Sequence, residues 1–229
     1  SREKSPKQFI PLIDGKSLFQ ETCLRFSDRK MFAFPTIITH EEHRFLVRDQ
    51  LQKIGITDAK IITEPVAKNT LAACLSASNF LKNTHGNVPI LFTPADHIVS
   101  NEIHLHKALI NALPFVKEDA ICIFGIKPSS PHTGYGYIAK GRAISEGIYK
   151  PSIFIEKPEK EKAIELMKNG ALWNSGLYFC TPKTLEQEAI KYTPELQKTL
   201  QDHFLTIKEN SHGFNTISKE IYNPITPIS

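Results

Sequence analysis

The apolar positions of this chain fall into short unbroken runs separated by stretches of helical period. Pro35-Thr36-Ile37-Ile38 reads as a buried strand, and Thr39 with Glu42 three positions on forms a capping box ahead of Phe45, Leu46, Leu51 and Ile54. That spacing predicts a helix, which Gly55 stops. Ala59 to Thr63 reads as a second strand, Asn69 or Thr70 as the cap of an alanine-rich helix reaching Lys82, and Val88 to Phe92 as a third strand. A helix from Asn101 to Leu113, broken by Pro114, then leads to the apolar strand Ala120 to Ile126.

Strands apolar at every position, alternating with helices roughly every thirty residues, point to a parallel sheet covered on both faces. The second half changes character. Tyr135 to Lys140, Ser152 to Glu156 and Leu177 to Cys180 read as strands with one clear helix, Glu159 to Lys168, among them. This is expected to be a mixed, partly antiparallel extension that closes a pocket, followed by an irregular tail from Asn210 to Ser229. In such α/β sheets ligands bind beyond the carboxyl ends of the strands. The segments to watch are therefore Glu64 to Thr70, Pro94-Ala95-Asp96-His97 and Glu156-Lys157-Pro158.

Composition narrows the class without choosing a function. With 229 residues, 41% hydrophobic and 23% charged, the chain has the mix of a folded globular protein. Lys plus Arg at 28 against Asp plus Glu at 24 leaves a formal charge of +4, too diffuse for nucleic acid but suited to a phosphorylated substrate. Cys23, Cys74, Cys122 and Cys180 are far apart with no CxxC pair, and are expected to be buried free thiols in a reducing cytoplasm. No apolar stretch is long enough for a membrane helix, the first residues are polar, and the lack of an initial Met suggests a piece of a longer product.

Several strand-end residues could carry chemistry. Asp96 would project into the ligand crevice, where a carboxylate can hold Mg²⁺ together with substrate phosphates, though an Asp there can equally cap a helix. His97 reads as a packing histidine before a base. Asn69-Thr70 offers a cap and free amides for a phosphate or a base edge, and Lys7 and Lys157 can each donate to phosphate oxygens. Gly134-Tyr135-Gly136-Tyr137 fails as a dinucleotide fingerprint because no helix follows, and suits close approach to a sugar ring. Trp173-Asn174-Ser175-Gly176 places an amide and a hydroxyl beside an aromatic ring. His104 and His106 cannot share a helix face, so zinc is not expected, and no GxSxG, HExxH or P-loop string occurs.

Taken in order, Pro6-Lys7-Gln8-Phe9, Glu41 to Leu46, Glu64-Pro65 with Lys68-Asn69-Thr70, Pro94-Ala95-Asp96-His97, Thr133 to Ile138, Ile155-Glu156-Lys157-Pro158 and Trp173-Asn174-Ser175-Gly176 resemble the bacterial mannose-1-phosphate guanylyltransferases. The likeness runs along nearly the whole chain and is nearest the bifunctional form whose C-terminal cupin domain is a mannose-6-phosphate isomerase. It implies an α/β, Rossmann-like nucleotide-diphospho-sugar transferase fold with a mostly parallel sheet, helices on both faces and an antiparallel extension. It further implies one nucleotidyltransferase domain over 1–229, cut at both ends, with a nucleotide half over 1–126 and a sugar-phosphate half over 127–229. The reaction implied is GTP plus α-D-mannose 1-phosphate giving GDP-mannose and pyrophosphate, with Mg²⁺, in the cytoplasm, the product serving surface polysaccharide. By position, Lys7 and Asp96 take the catalytic places, Asp96 also being the metal ligand. Glu64, Lys68, Asn69 and Thr70 surround the nucleotide, Gly136 and Asn174 meet the mannose, and Glu156 and Lys157 hold its hydroxyls and phosphate. GTP and mannose 1-phosphate are the expected partners, with neither nucleic acid nor membrane, and a homodimer is open to it.

Two parts of the family pattern are missing: the glycine-rich GGxGTRLWPL loop that should precede Ser1, and the second metal aspartate that should follow Ser229. Activity is therefore expected of a longer parent. Another base and sugar, such as UTP or dTTP with glucose 1-phosphate, and a non-catalytic paralogue that binds nucleotide sugar are the competing readings. A retaining glycosyltransferase fits less well, since no Asp-x-Asp is present.

Overall fold

The computed structural model describes residues 6–201 and 207–228, so the polar opening Ser1 to Ser5 and the terminal Ser229 lie outside the described residues. In chain order the elements are β1 (Pro11–Ile13), β2 (Lys16–Ser17), α1 (Leu18–Arg25), β3 (Thr36–His40), α2 (Arg44–Lys53), β4 (Lys60–Glu64), α3 (Asn69–His85), β5 (Ile90–Phe92), α4 (Glu102–Lys117), β6 (Cys122–Ile126), β7 (Tyr137–Ser145), β8 (Ile148–Ile155), α5 (Lys160–Lys168), β9 (Leu172–Cys180), α6 (Pro182–Tyr192), α7 (Pro194–Gln201), β10 (Lys208–Glu209), β11 (Asn215–Thr216) and α8 (Lys219–Tyr222). The chain is an α/β protein that divides into two compact units. One comprises Ser1–Val88, Ala95–Glu102 and Pro182–Ser229; the other comprises Pro89–Pro94 and Ile103–Thr181.

The first unit is built round β4. Ile61, Ile62 and Thr63 are buried at successive positions, as a strand covered on both faces requires. Parallel partners flank it: β3 runs from Thr36 opposite Lys60 to His40 opposite Glu64, and β11 sets Asn215 against Ile62. Its apolar cluster joins Phe9, Phe19, Cys23, Val47, Leu51, Ile56, Ile61 and Phe214, with Ala95 packed against it. A Ser17–Gln20 capping box starts α1, and Gln50 ties that start to the chain by accepting from Ser17 Oγ at 2.5 Å and donating to the Phe9 carbonyl at 2.7 Å.

The second unit is an antiparallel sheet with β9 at its centre. β6 lies along one edge of β9, while β5 and β7 share the other, and β8 completes the sheet beside β7. Helix α5 covers one face, where Tyr137, Ala163, Leu166 and Ala171 are buried together.

Local expectations need four corrections. Thr39 lies in β3 and His40 caps the helical turn instead, its Nδ1 accepting from the Glu42 amide at 3.3 Å. Neither Asn69 nor Thr70 caps α3: Lys68 occupies the cap position without a side-chain capping bond, and Asn69 has φ +62°. Pro114 does not break α4, which runs on to Lys117. Pro114 and Ile110 are both exposed there, so water can take the carbonyl that a missing N–H leaves behind. The second half holds α6, α7 and α8 besides the expected helix, and the tail contributes β11 to the β4 sheet. None of the four cysteines is in a disulfide, Cys23 and Cys180 being buried and the other two half-buried, and burial pushes Cys23 and Cys74 up to about 12.

Candidate functional site

In the first unit the residues expected to meet the nucleotide form two groups. Lys7 opens the 3₁₀ turn Lys7–Phe9 and is held by Phe9, whose ring is buried against Phe19 at 5.5 Å. Its Nζ reaches Asp96 Oδ2 at 2.9 Å, with the lysine side chain 77% and the aspartate 30% exposed. Asp96 is fixed by its neighbours, Ala95 packing on the apolar cluster and the His97 carbonyl accepting from Arg25 Nη2 at 3.1 Å. His97 Nε2 stands 3.9 Å from Asp96 Oδ1.

The second group lies at the carboxyl end of β4. Glu64 accepts a hydrogen bond from the Tyr222 hydroxyl. Burial pushes its carboxyl above the ordinary range, opposed by that bond and by His40, which pairs with it in register on β3. Tyr222 is itself fully buried, and burial beside the Glu64 carboxylate raises its phenol. Lys68 Nζ donates to the Asn223 carbonyl at 2.6 Å, and the Leu71 amide donates to the Ile228 carbonyl at 3.2 Å. Residues 222–228 thus lie along the start of α3, whose first residues Asn69 and Thr70 remain exposed. Tyr222 and Asn223 had no local signal; their pairing spans more than 150 residues of chain.

In the second unit Gly136, Glu156, Lys157 and Asn174 come together. The Asn174 amide donates to the Gly136 carbonyl at 2.7 Å, and the Lys157 amide to the Tyr135 carbonyl at 3.2 Å. A Cβ on Gly136 would sit 2.6 Å from Glu156 Oε2, 3.2 Å from Phe154 Cζ and 3.4 Å from Asn174 Cβ, so glycine is what lets these side chains converge. Lys157 takes φ +46°, rare for a side-chain-bearing residue, and its Nζ stands 3.4 Å from Glu156 Oε1. Tyr135 stacks on His132 at 4.3 Å and meets Trp173 edge-on at 5.0 Å, which makes an aromatic wall beside them.

A cation would find in Asp96 a partly exposed hard-oxygen donor, and no cluster of three or more acidic, His or Cys side chains able to hold a metal occurs among the described residues. A single carboxylate fits Mg²⁺, which is bound through one or two carboxylates with substrate phosphates supplying the rest. A cavity of about 370 Å³ in the first unit, bounded by Tyr192, Pro194, Leu196, Pro224, Ile225 and Ile228, takes in none of the expected site residues. No described helix is long and apolar enough to cross a membrane.

The sequence model of the nucleotidyl transferase family matches residues 1–219. A mannose-1-phosphate guanylyltransferase of Escherichia coli is 35% identical over 227 residues, covering 97% of this chain and 48% of that protein. The chain thus spans about half the length of this curated relative. Among solved structures, one described as a mannose-1-phosphate geranyltransferase of Thermus thermophilus superposes with a TM-score of 0.83 at 25% identity, over 100% of this chain and 64% of that one. A mannose-6-phosphate isomerase of Helicobacter pylori superposes at 0.86 with 24% identity, over 100% and 87%, and shows the shared fold.

Proposed function

The chain belongs to the nucleotidyl transferase family, and from that premise we propose that its parent protein is a mannose-1-phosphate guanylyltransferase making GDP-mannose for surface polysaccharide. The observation that carries the reading is the Lys7–Asp96 pair at 2.9 Å, a flexible cation and a hard carboxylate set together at a strand end. In the reaction, a phosphate oxygen of mannose 1-phosphate bonds to the α-phosphorus of GTP. The bond from that phosphorus to the β-phosphate oxygen breaks, and pyrophosphate leaves with the electron pair. No covalent nucleophile is required.

Each residue has a stated part. Lys7 binds the phosphates and meets negative charge as it builds on bond breaking. Asp96 would hold a divalent cation, taken to be Mg²⁺, which when bound neutralises charge on the phosphoryl oxygens. Glu64, at the end of β4, and Lys68, Asn69 and Thr70, at the start of α3, surround the nucleotide. Gly136 and Asn174 shape the sugar subsite, Glu156 accepts from sugar hydroxyls, and Lys157 binds the sugar phosphate. The test is pyrophosphate release by the parent protein. Release from GTP with mannose 1-phosphate, abolished by excess chelator, is expected. Equal rates with UTP and glucose 1-phosphate would overturn the guanylyl reading, and undiminished release in chelator would overturn the metal's role.

A further inference from the structure

Arg25 is a charged side chain only 4% exposed, a placement that is costly unless every part of the guanidinium is answered. Its two terminal nitrogens donate hydrogen bonds, and Nε stands at ion-pair distance from a carboxylate. Nη2 donates to the His97 carbonyl at 3.1 Å, Nε stands 3.5 Å from Glu102 Oε1, and Nη1 donates to Thr22 Oγ1 at 3.4 Å. Two of these partners bracket one segment. His97 follows Asp96 directly, and Glu102 is the first residue of α4, so one buried cation grips both ends of the stretch 97–102. The gripping element is itself seated, because α1 is capped by Ser17 and Gln20 and tied to α2 through Gln50.

We propose that Arg25 is a positioning residue: through the His97 carbonyl and the Glu102 carboxylate it fixes the loop that aims the Asp96 carboxylate. The inference rests on the reading of Asp96 as the metal-holding residue. A lysine could not replace it, since a single ammonium lacks the planar fork needed to serve a carbonyl and a carboxylate in separate directions. Lys7, which pairs with the Asp96 carboxylate directly, is exposed and cannot fix the loop in this way.

The experiment compares Arg25→Lys and Glu102→Gln with the unsubstituted protein, by hydrogen exchange and by Mn²⁺ titration in the presence of GTP. Glu102→Gln leaves Arg25 in place and changes a half-exposed carboxylate, so the test survives if the Arg25 variant fails to fold. Faster exchange confined to peptides covering 95–102, with β4 and α2 unchanged, is expected. Mn²⁺ binding should weaken about tenfold, the size seen when a group orienting a metal ligand is lost, while the KM for mannose 1-phosphate stays within about twofold. Unchanged exchange over 95–102, acceleration spread over the whole unit, or an unmoved Mn²⁺ midpoint would each overturn the proposal. Failure of the unsubstituted protein to bind Mn²⁺ would instead overturn the metal reading of Asp96, and this proposal with it, while the exchange data would still report on the grip of Arg25.

Discussion

Asp96 and Lys7 form an ion pair that water reaches from the lysine side, so the pair contributes little to stability, within about 1 kcal/mol for exposed pairs. A substitution there should consequently separate chemistry from folding. On the proposed reading, Asp96→Asn is predicted to cut the parent protein's turnover roughly a hundredfold or more, with the melting temperature almost unmoved, because the lost carboxylate would hold the cation that neutralises phosphate charge in the transition state. Steady-state rates with parallel thermal melts check this; turnover within a few-fold of the unsubstituted protein would reduce Asp96 to a surface residue. Glu64 behaves in the opposite way, since its ionised form is buried. Its folded-state affinity for a proton is raised above that of the unfolded chain. Stability from this group is therefore fully present below the ordinary glutamate value of about 4.3 and is lost as pH rises through the raised folded value. Glu64→Gln keeps an acceptor for Tyr222 and removes this dependence, so its melting temperature should gain on the unsubstituted protein between pH 4 and pH 7. A difference that does not change with pH would contradict the account.

At the scale of elements, the start of α3 shows what kind of reason the sequence hides. Asn69 looks like a cap because Asn caps helices well, yet its backbone sits at φ +62°, which Asn tolerates better than most side-chain-bearing residues. The residue was legible as a helix start; its physical role was not, because a cap and a left-handed residue favour the same side chain. Asn69→Gly should accordingly be near neutral in chemical denaturation, whereas Asn69→Val should cost about 1–2 kcal/mol, as a branched residue does in that conformation. Equal losses would contradict the left-handed role of this position. Periodicity placed β3, α2, β4, α3 and α5 to within a few residues, because each is long or strongly patterned. It gave no sign of α1, although Ser17 and Gln20 are the S-x-x-Q pair that announces a capped helix.

At the scale of the whole molecule, chain order and spatial grouping part company. A boundary at 126/127 separates the residues by sequence, whereas the compact units join α6, α7 and α8 with the first 88 residues. That return depends on contacts such as Tyr222 with Glu64 and Lys82 with Glu186 at 2.5 Å, which no local pattern can reveal. The site groups survive the regrouping, with Lys7, Glu64, Lys68 and Asp96 in one unit and Gly136, Glu156, Lys157 and Asn174 in the other. On the proposed reading these two groups do different work, the first on the triphosphate and the second on the sugar phosphate. Steady-state kinetics of Lys7→Ala and Lys157→Ala in the parent protein, with GTP and mannose 1-phosphate varied in turn, decide whether they do. Lys7→Ala should mainly lower kcat, since its charge is used as the bond breaks, and Lys157→Ala should mainly raise the KM for mannose 1-phosphate, a contact shared by ground and transition states. The same pattern in both variants, or a Lys157→Ala effect confined to the KM for GTP, would contradict this division of work.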